Sequence, residues 1–134
     1  MDYEKLCDFA KQADSKVRFA GVINSRGRLI AGGMVSSKKR LGDRKRDEML
    51  YMELALRVKM RSEFDDDLGK VKFSMSFREK LIVMSFPMKN NILMVSMERK
   101  TQFQLWYCHY LFRHIPVVSS GRRQNVFENF DERS

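Results

Sequence analysis

An α+β domain, with helices on the faces of an antiparallel sheet in the order α-β-β-α-β-β-β, is the fold class the sequence predicts. Three features predict it. Residues 17–33, VRFAGVINSRGRLIAGG, place two short apolar runs on either side of a Ser-Arg-Gly-Arg turn, which is the signature of a hairpin. Residues 47–64, DEMLYMELALRVKMRSEF, repeat apolar side chains at helical spacing. Three further runs of strand length then follow, separated by charged and Asn-rich turns.

Size and composition set the outer limits. A chain of 134 residues has the length of one domain, and a hydrophobic fraction of 43% is that of a globular protein with a core. No apolar run approaches the roughly 18 residues that would span a bilayer. The first twelve residues, MDYEKLCDFAKQ, are charged throughout and lack the apolar segment of a secretory signal. A cytoplasmic protein is expected. The two cysteines, Cys7 and Cys108, are too few for a disulfide framework and are expected as reduced, buried thiols.

The elements follow in order. Residues 2–14 read as a short helix, with Leu6, Phe9, Ala10 and Ala13 recurring every three or four positions. Residues 17–24 read as a strand with Val17, Phe19, Gly21 and Ile23 on one side. Ala20 and Val22 on the other side are also apolar, so both faces are expected to be covered. Gly27 supplies the positive φ of the tight turn, and residues 28–35 return. Gly32 and Gly33 then weaken the end of the returning strand and leave room for a close backbone approach or a bulge.

The helix at 47–64 carries Asp47 and Glu48 at its positive amino end and Lys59 and Arg61 in its last turns. Steps of 100° divide its apolar residues into two arcs. Leu50, Tyr51, Leu54, Ala55 and Val58 form one; Met49, Met52, Leu56, Met60 and Phe64 form the opposite one, with Glu53, Arg57 and Glu63 at its margins. A surface helix of a monomer needs one stripe. Two predict burial on two sides, by this chain or by a second subunit.

The DDDLG sequence closes that helix, with Gly69 free to take a positive φ. Residues 71–78, VKFSMSFR, alternate as a strand with one wet face does, at or near a sheet edge. Residues 81–86 and 92–97 are almost continuously apolar, as central strands are, with Pro87 and Lys89-Asn90-Asn91 between them. Residues 102–116, QFQLWYCHYLFRHIP, are so rich in aromatics that a closing helix and a strand are both compatible with them. The domain is expected over 1–116, with its core at about 5–98, and residues 117–134 as a flexible polar tail.

Of the net charge of +9, residues 36–46 hold +5: Lys38, Lys39, Arg40, Arg44, Lys45 and Arg46 stand against Asp43 alone. Such a loop suits phosphate-bearing partners or anionic surfaces, and equally a solvated connection. A nucleic-acid contact there would act through phosphates, without base stacking, because the loop has no aromatic residue.

Catalytic and metal motifs are weak. Asp65, Asp66 and Asp67 lack the alternating spacing of a calcium loop. His109 and His114, five apart beside Cys108, lack the further ligands of a zinc site. Cys108 and His109 are sequence neighbours without an identifiable orienting carboxylate or oxyanion hole. The glycines at 21, 27, 32 and 33 form neither phosphate-binding fingerprint. No enzyme, metal or cofactor is expected.

The element order, the GVIN step, the glycine turn, LIAGG, the two-faced helix, VKFSMS and LIVMSF together resemble the roadblock/dynein light chain 7 domain, a profilin-like and longin-like fold. The stretches RFAGVINSRGRLIAGG, LYMELALRVKMRSEFDDDLG and LIVMSFP resemble, more narrowly, a small archaeal family of this kind with no assigned activity. The resemblance covers about residues 5–98. It implies a non-enzymatic scaffold that pairs through its central helix and an edge strand and serves as a platform for protein partners such as small GTPases. Met49, Met52, Leu56 and Met60, with Phe73 and Met75 of the 71–78 strand, would then form the dimer interface. The departure from the family is the carboxyl end, aromatic-rich and then ragged where an amphipathic helix is expected. The alternative function is a basic, nucleic-acid-associated regulator acting through residues 38–46, and a third is a small-molecule sensor of the profilin-like class.

Overall fold

The computed structural model describes residues 1–39, 41–99 and 104–115. Its elements are α1 (Tyr3–Gln12), β1 (Val17–Asn24), β2 (Leu29–Met34), α2 (Arg44–Ser62), α3 (Asp65–Leu68), β3 (Ser74–Phe77), β4 (Leu81–Pro87), β5 (Asn91–Glu98) and α4 (Gln104–Phe112). The strands form one five-stranded sheet in the order β2-β1-β5-β4-β3, with every neighbouring pair antiparallel. The α+β class and the element order are as the sequence predicts, with α3 and α4 added.

Two cores lie on the two faces of the sheet. Leu6, Cys7 and Ala10 of α1 and Tyr107 and Leu111 of α4 pack on one face, against Ala20, Val22, Ile82, Met84, Phe86, Leu93, Val95 and Met97. Tyr51, Leu54 and Ala55 of α2 cover the other, against Phe19, Ile23, Val83, Ile92 and Met94. Successive residues of β4 and β5 therefore enter opposite cores, and continuous apolar runs replace alternation because neither face is wet. Removing such side chains from water contributes about 1.5–3 kcal/mol each before the entropy of ordering them is counted.

Val17 departs from the expected face. It packs with Ala20 and Val22 on the α1 side, not with Phe19 and Ile23. The pairing of β1 with β5 slips between Val17 and Phe19, where Val17 faces Met97 and Phe19 faces Ser96. One extra residue in the ladder turns every side chain before it to the opposite face.

The hairpin turn is built by Asn24. Its Oδ1 accepts from the backbone N–H of Arg26 and of Arg28, both at 3.0 Å, and Gly27 takes φ +77°. At Gly32, φ is +79°, and a Cβ would come within 2.2 Å of the Ala20 carbonyl oxygen and 2.7 Å of the Cys7 Sγ. The close approach is thus made at Gly32, where it seats α1 on the hairpin, and not at Gly33, where a Cβ would meet nothing within 4 Å. The Glu4 carboxylate reinforces that seat by accepting from Gly32 N–H at 3.0 Å.

Three boundaries shift from their expected places. α2 begins at Arg44 because the Asp43 side chain accepts from Arg46 N–H at 2.8 Å and caps the helix there. It ends at Ser62, and the acidic residues form the separate turn α3 before Gly69, whose φ is +83°. β3 spans only Ser74–Phe77. Its register, Ser74 opposite Ser85, would bring Lys72 opposite Pro87, which has no N–H to lend to a ladder. The strand is an edge strand, as expected.

Of the two readings left open for the aromatic segment, helix is the one adopted. Tyr107, Leu111 and Ile115, four residues apart, are all buried against the sheet. The tail expected at 117–134 lies outside the described residues. Among the described residues, no helix is long and apolar enough to cross a membrane.

Candidate functional site

The two arcs of α2 have opposite environments. Tyr51, Leu54 and Ala55 are buried, while Met49, Met52, Leu56 and Met60 are each 53–59% exposed. Phe64, one turn further on, is exposed as well. Margin residues Glu53 and Arg57 pair along the helix at 3.5 Å. Such an exposed pair contributes little energy but borders the apolar stripe with charge. A stripe of unbranched thioethers with one leucine and one phenylalanine is an adaptable apolar surface.

The helix is held firmly beneath that stripe. Tyr51 stacks on Phe19 with ring centroids 5.8 Å apart. Arg61 Nη1 donates to the Ser74 hydroxyl at 2.6 Å, which ties the carboxyl end of α2 to the start of the edge strand. That hydrogen bond links α2 to the edge strand at one point.

Phe73 and Met75 occupy a different place from the α2 arc. Both are partly buried against the core on the α1 side. Phe73 meets Phe86 at 5.8 Å and the His109 ring edge-on at 5.5 Å. The structure brings Met49, Met52, Leu56 and Met60 together but sets Phe73 and Met75 on the opposite face of the sheet. Phe77, at the end of β3, is exposed.

The basic segment is divided rather than continuous. Lys38 Nζ donates to Glu98 Oε1 at 2.9 Å, and the Arg18 guanidinium donates to the Lys39 carbonyl. Lys38 and Lys39 are thus pinned to the end of the sheet. Arg44, Lys45 and Arg46 belong to the first turn of α2, a folded position where the sequence suggested a loop. Cations at a helix amino end are opposed by its dipole, which Asp43 and Asp47 offset. Arg40 lies outside the described residues. Hydrogen bonding from Lys38 is the main cause that holds the Glu98 carboxyl below its usual range.

Among the described residues, no group of three or more His, Cys, Asp or Glu side chains is placed to share a metal ion. Cys7 is fully buried, and burial is the largest cause that pushes its thiol up to about 11. A protonated, enclosed sulfur of this kind is a packing group, not a nucleophile.

A five-stranded antiparallel sheet, two helices on one face and a two-faced helix on the other define a roadblock/profilin-like domain. The chain is similar to the roadblock/LC7 domain from Streptomyces avermitilis, with TM-score 0.62 and 10% identity over 85% of this chain and 94% of that one. MglB of Myxococcus xanthus aligns with TM-score 0.61 and 12% identity over 97% and 95% of the two chains. Profilin of Schizosaccharomyces pombe aligns with TM-score 0.52 and 15% identity, over 82% and 96%. At these identities the likeness is one of fold. The chain itself belongs to a family of unknown function, DUF6659, whose model matches residues 1–111. No curated protein matches the sequence.

Proposed function

We propose that this protein is a non-enzymatic, cytoplasmic scaffold that pairs with a second copy through the exposed arc of α2 and the edge of β3. The paired domain then presents a surface to a protein partner of the small-GTPase class. One observation carries the reading: Met49, Met52, Leu56 and Met60 form an exposed stripe directly opposite the buried stripe of the same helix. A monomer gains nothing from such a stripe, whereas two copies related by a two-fold axis would bury it against itself. The roadblock fold supports the reading, because the resemblance implies pairing through these same elements. In this arrangement β3 contributes its open backbone edge, and Phe73 and Met75 stiffen that edge from the core side.

The test is Met52→Glu combined with Leu56→Glu. Facing like charges across a two-fold axis cost several kcal/mol, so self-association should weaken by at least about 100-fold. The far-ultraviolet circular dichroism should be unchanged, since both side chains point away from the core. A double variant that self-associates like the unmutated chain would rule out α2 as the pairing element.

A further inference from the structure

One end of the sheet gathers cations from four separate stretches of chain. The start of β1, the end of β2, the β3–β4 turn and the end of β5 all meet there, because every neighbouring strand is antiparallel. Contacts join them into a row. Arg99 Nη1 donates to the Arg78 carbonyl at 3.2 Å. Glu98, the preceding residue, takes Lys38 at 2.9 Å and Arg18 at 3.7 Å, and Arg18 reaches the Lys39 carbonyl. Five strand ends span about 19 Å at ordinary strand spacing.

Seven cations, Lys16, Arg18, Lys38, Lys39, Arg78, Lys80 and Arg99, stand on this end against the carboxylates Asp14, Glu79 and Glu98. Glu98 is engaged by Arg18 and Lys38. Lys39, Arg78, Lys80 and Arg99 are exposed. Two large apolar side chains accompany them. Phe77 is 64% exposed and immediately precedes Arg78; Leu41 is 58% exposed and lies two residues beyond the pinned Lys39. Chain geometry keeps its Cα within about 7.6 Å of that residue.

The combination selects a partner. A sugar-phosphate backbone complements the cations but offers nothing to Leu41 and Phe77. The surface of an anionic bilayer complements both: phosphates attract the cations, and the acyl boundary takes up the apolar side chains. We propose that this end of the sheet is a peripheral docking face for anionic lipid bilayers, with Lys39, Arg78, Lys80 and Arg99 at the headgroups and Leu41 and Phe77 in the interface. The proposal goes beyond the scaffold reading and does not rest on pairing through α2.

The test is co-sedimentation of the full chain with vesicles of phosphatidylcholine alone and of phosphatidylcholine mixed with phosphatidylglycerol, at about 0.1 M and about 0.5 M salt. Binding is expected on the anionic vesicles only, weakening at the higher salt. Arg78→Glu with Lys80→Glu should lower it by about tenfold or more, as should Lys39→Glu with Arg99→Glu, a second pair should the first perturb folding. Leu41→Ser with Phe77→Ser should also lower it while leaving the salt dependence in place. Absence of binding to anionic vesicles, or binding indifferent to both charge-reversal pairs, overturns the proposal. So does binding that the Leu41→Ser, Phe77→Ser variant retains in full and that a labelled DNA duplex matches, since the face would then read phosphates in general.

Discussion

Gly27, at the tip of the β1–β2 hairpin, rests on the backbone of Met52: a Cβ at position 27 would come within 2.6 Å of the Met52 Cα and 2.9 Å of its nitrogen. The contact couples the turn to the middle of the helix that carries the exposed methionine stripe. It also gives Gly27 a second reason to be glycine, beyond its φ of +77°.

Gly27→Ala should therefore cost more than an ordinary turn substitution. The left-handed conformation contributes about 1–2 kcal/mol and the collision with helix backbone about as much again. Urea unfolding should show a loss of about 2–4 kcal/mol. A loss below about 1 kcal/mol would mean that the turn and α2 are not in contact.

The adjacent glycines of β2 should behave unequally. Gly32→Ala drives a methyl group into the Ala20 carbonyl and the Cys7 sulfur, whereas a Cβ on Gly33 meets nothing within 4 Å. We expect about 3–5 kcal/mol of destabilisation at position 32 and about 1–2 kcal/mol at position 33, the latter from backbone conformation alone. Equal losses in denaturant titrations would contradict the close packing of α1 on the hairpin.

Tyr107 joins the fourth helix to the first. Its hydroxyl donates to the Ala10 carbonyl at 2.9 Å in a buried setting. That carbonyl lies in the last turn of α1, where backbone acceptors lack partners within their own helix. Tyr107→Phe should lower stability by about 1–3 kcal/mol. In hydrogen exchange, the loss should appear as faster exchange in α1 and α4, with the central strands following only the global change.

Cys7 sets an alkaline limit. Its thiol is raised to about 11 in the folded chain, from an ordinary value of 9.0. Between these values the folded state keeps a proton that the unfolded state has lost, so stability falls as pH rises. The contribution is whole below pH 9 and is lost progressively towards pH 11. Cys7→Ala should flatten the decline in thermal melts over that window, although it also removes packing volume.

Much of this arrangement is legible in the sequence because it depends on local patterns. The two arcs of α2, the doubly covered strands at 81–86 and 92–97, and the glycines at 27 and 32 each follow from spacing or backbone geometry. What escapes is what depends on pairing. The bulge that turns Val17 to the α1 side occurs in Val-Arg-Phe, without a glycine to mark it. β3 is shortened by Pro87 in its partner strand, not by its own residues. Asp43 draws three cations into α2 that sequence alone assigns to a loop. α4 is apolar nearly all round, so its period identifies no face until Tyr107, Leu111 and Ile115 are seen buried together. The basic end of the sheet is invisible in the chain because its cations are spread from Lys16 to Arg99.

The central claim is that the exposed flank of α2 is covered by a second copy. Multi-angle light scattering of the unmutated chain at tens of micromolar, followed on dilution, tests it most directly. A mass of twice the 15.9 kDa of one chain is expected, falling towards a single copy only on dilution. A constant mass of one chain across the whole range would contradict it.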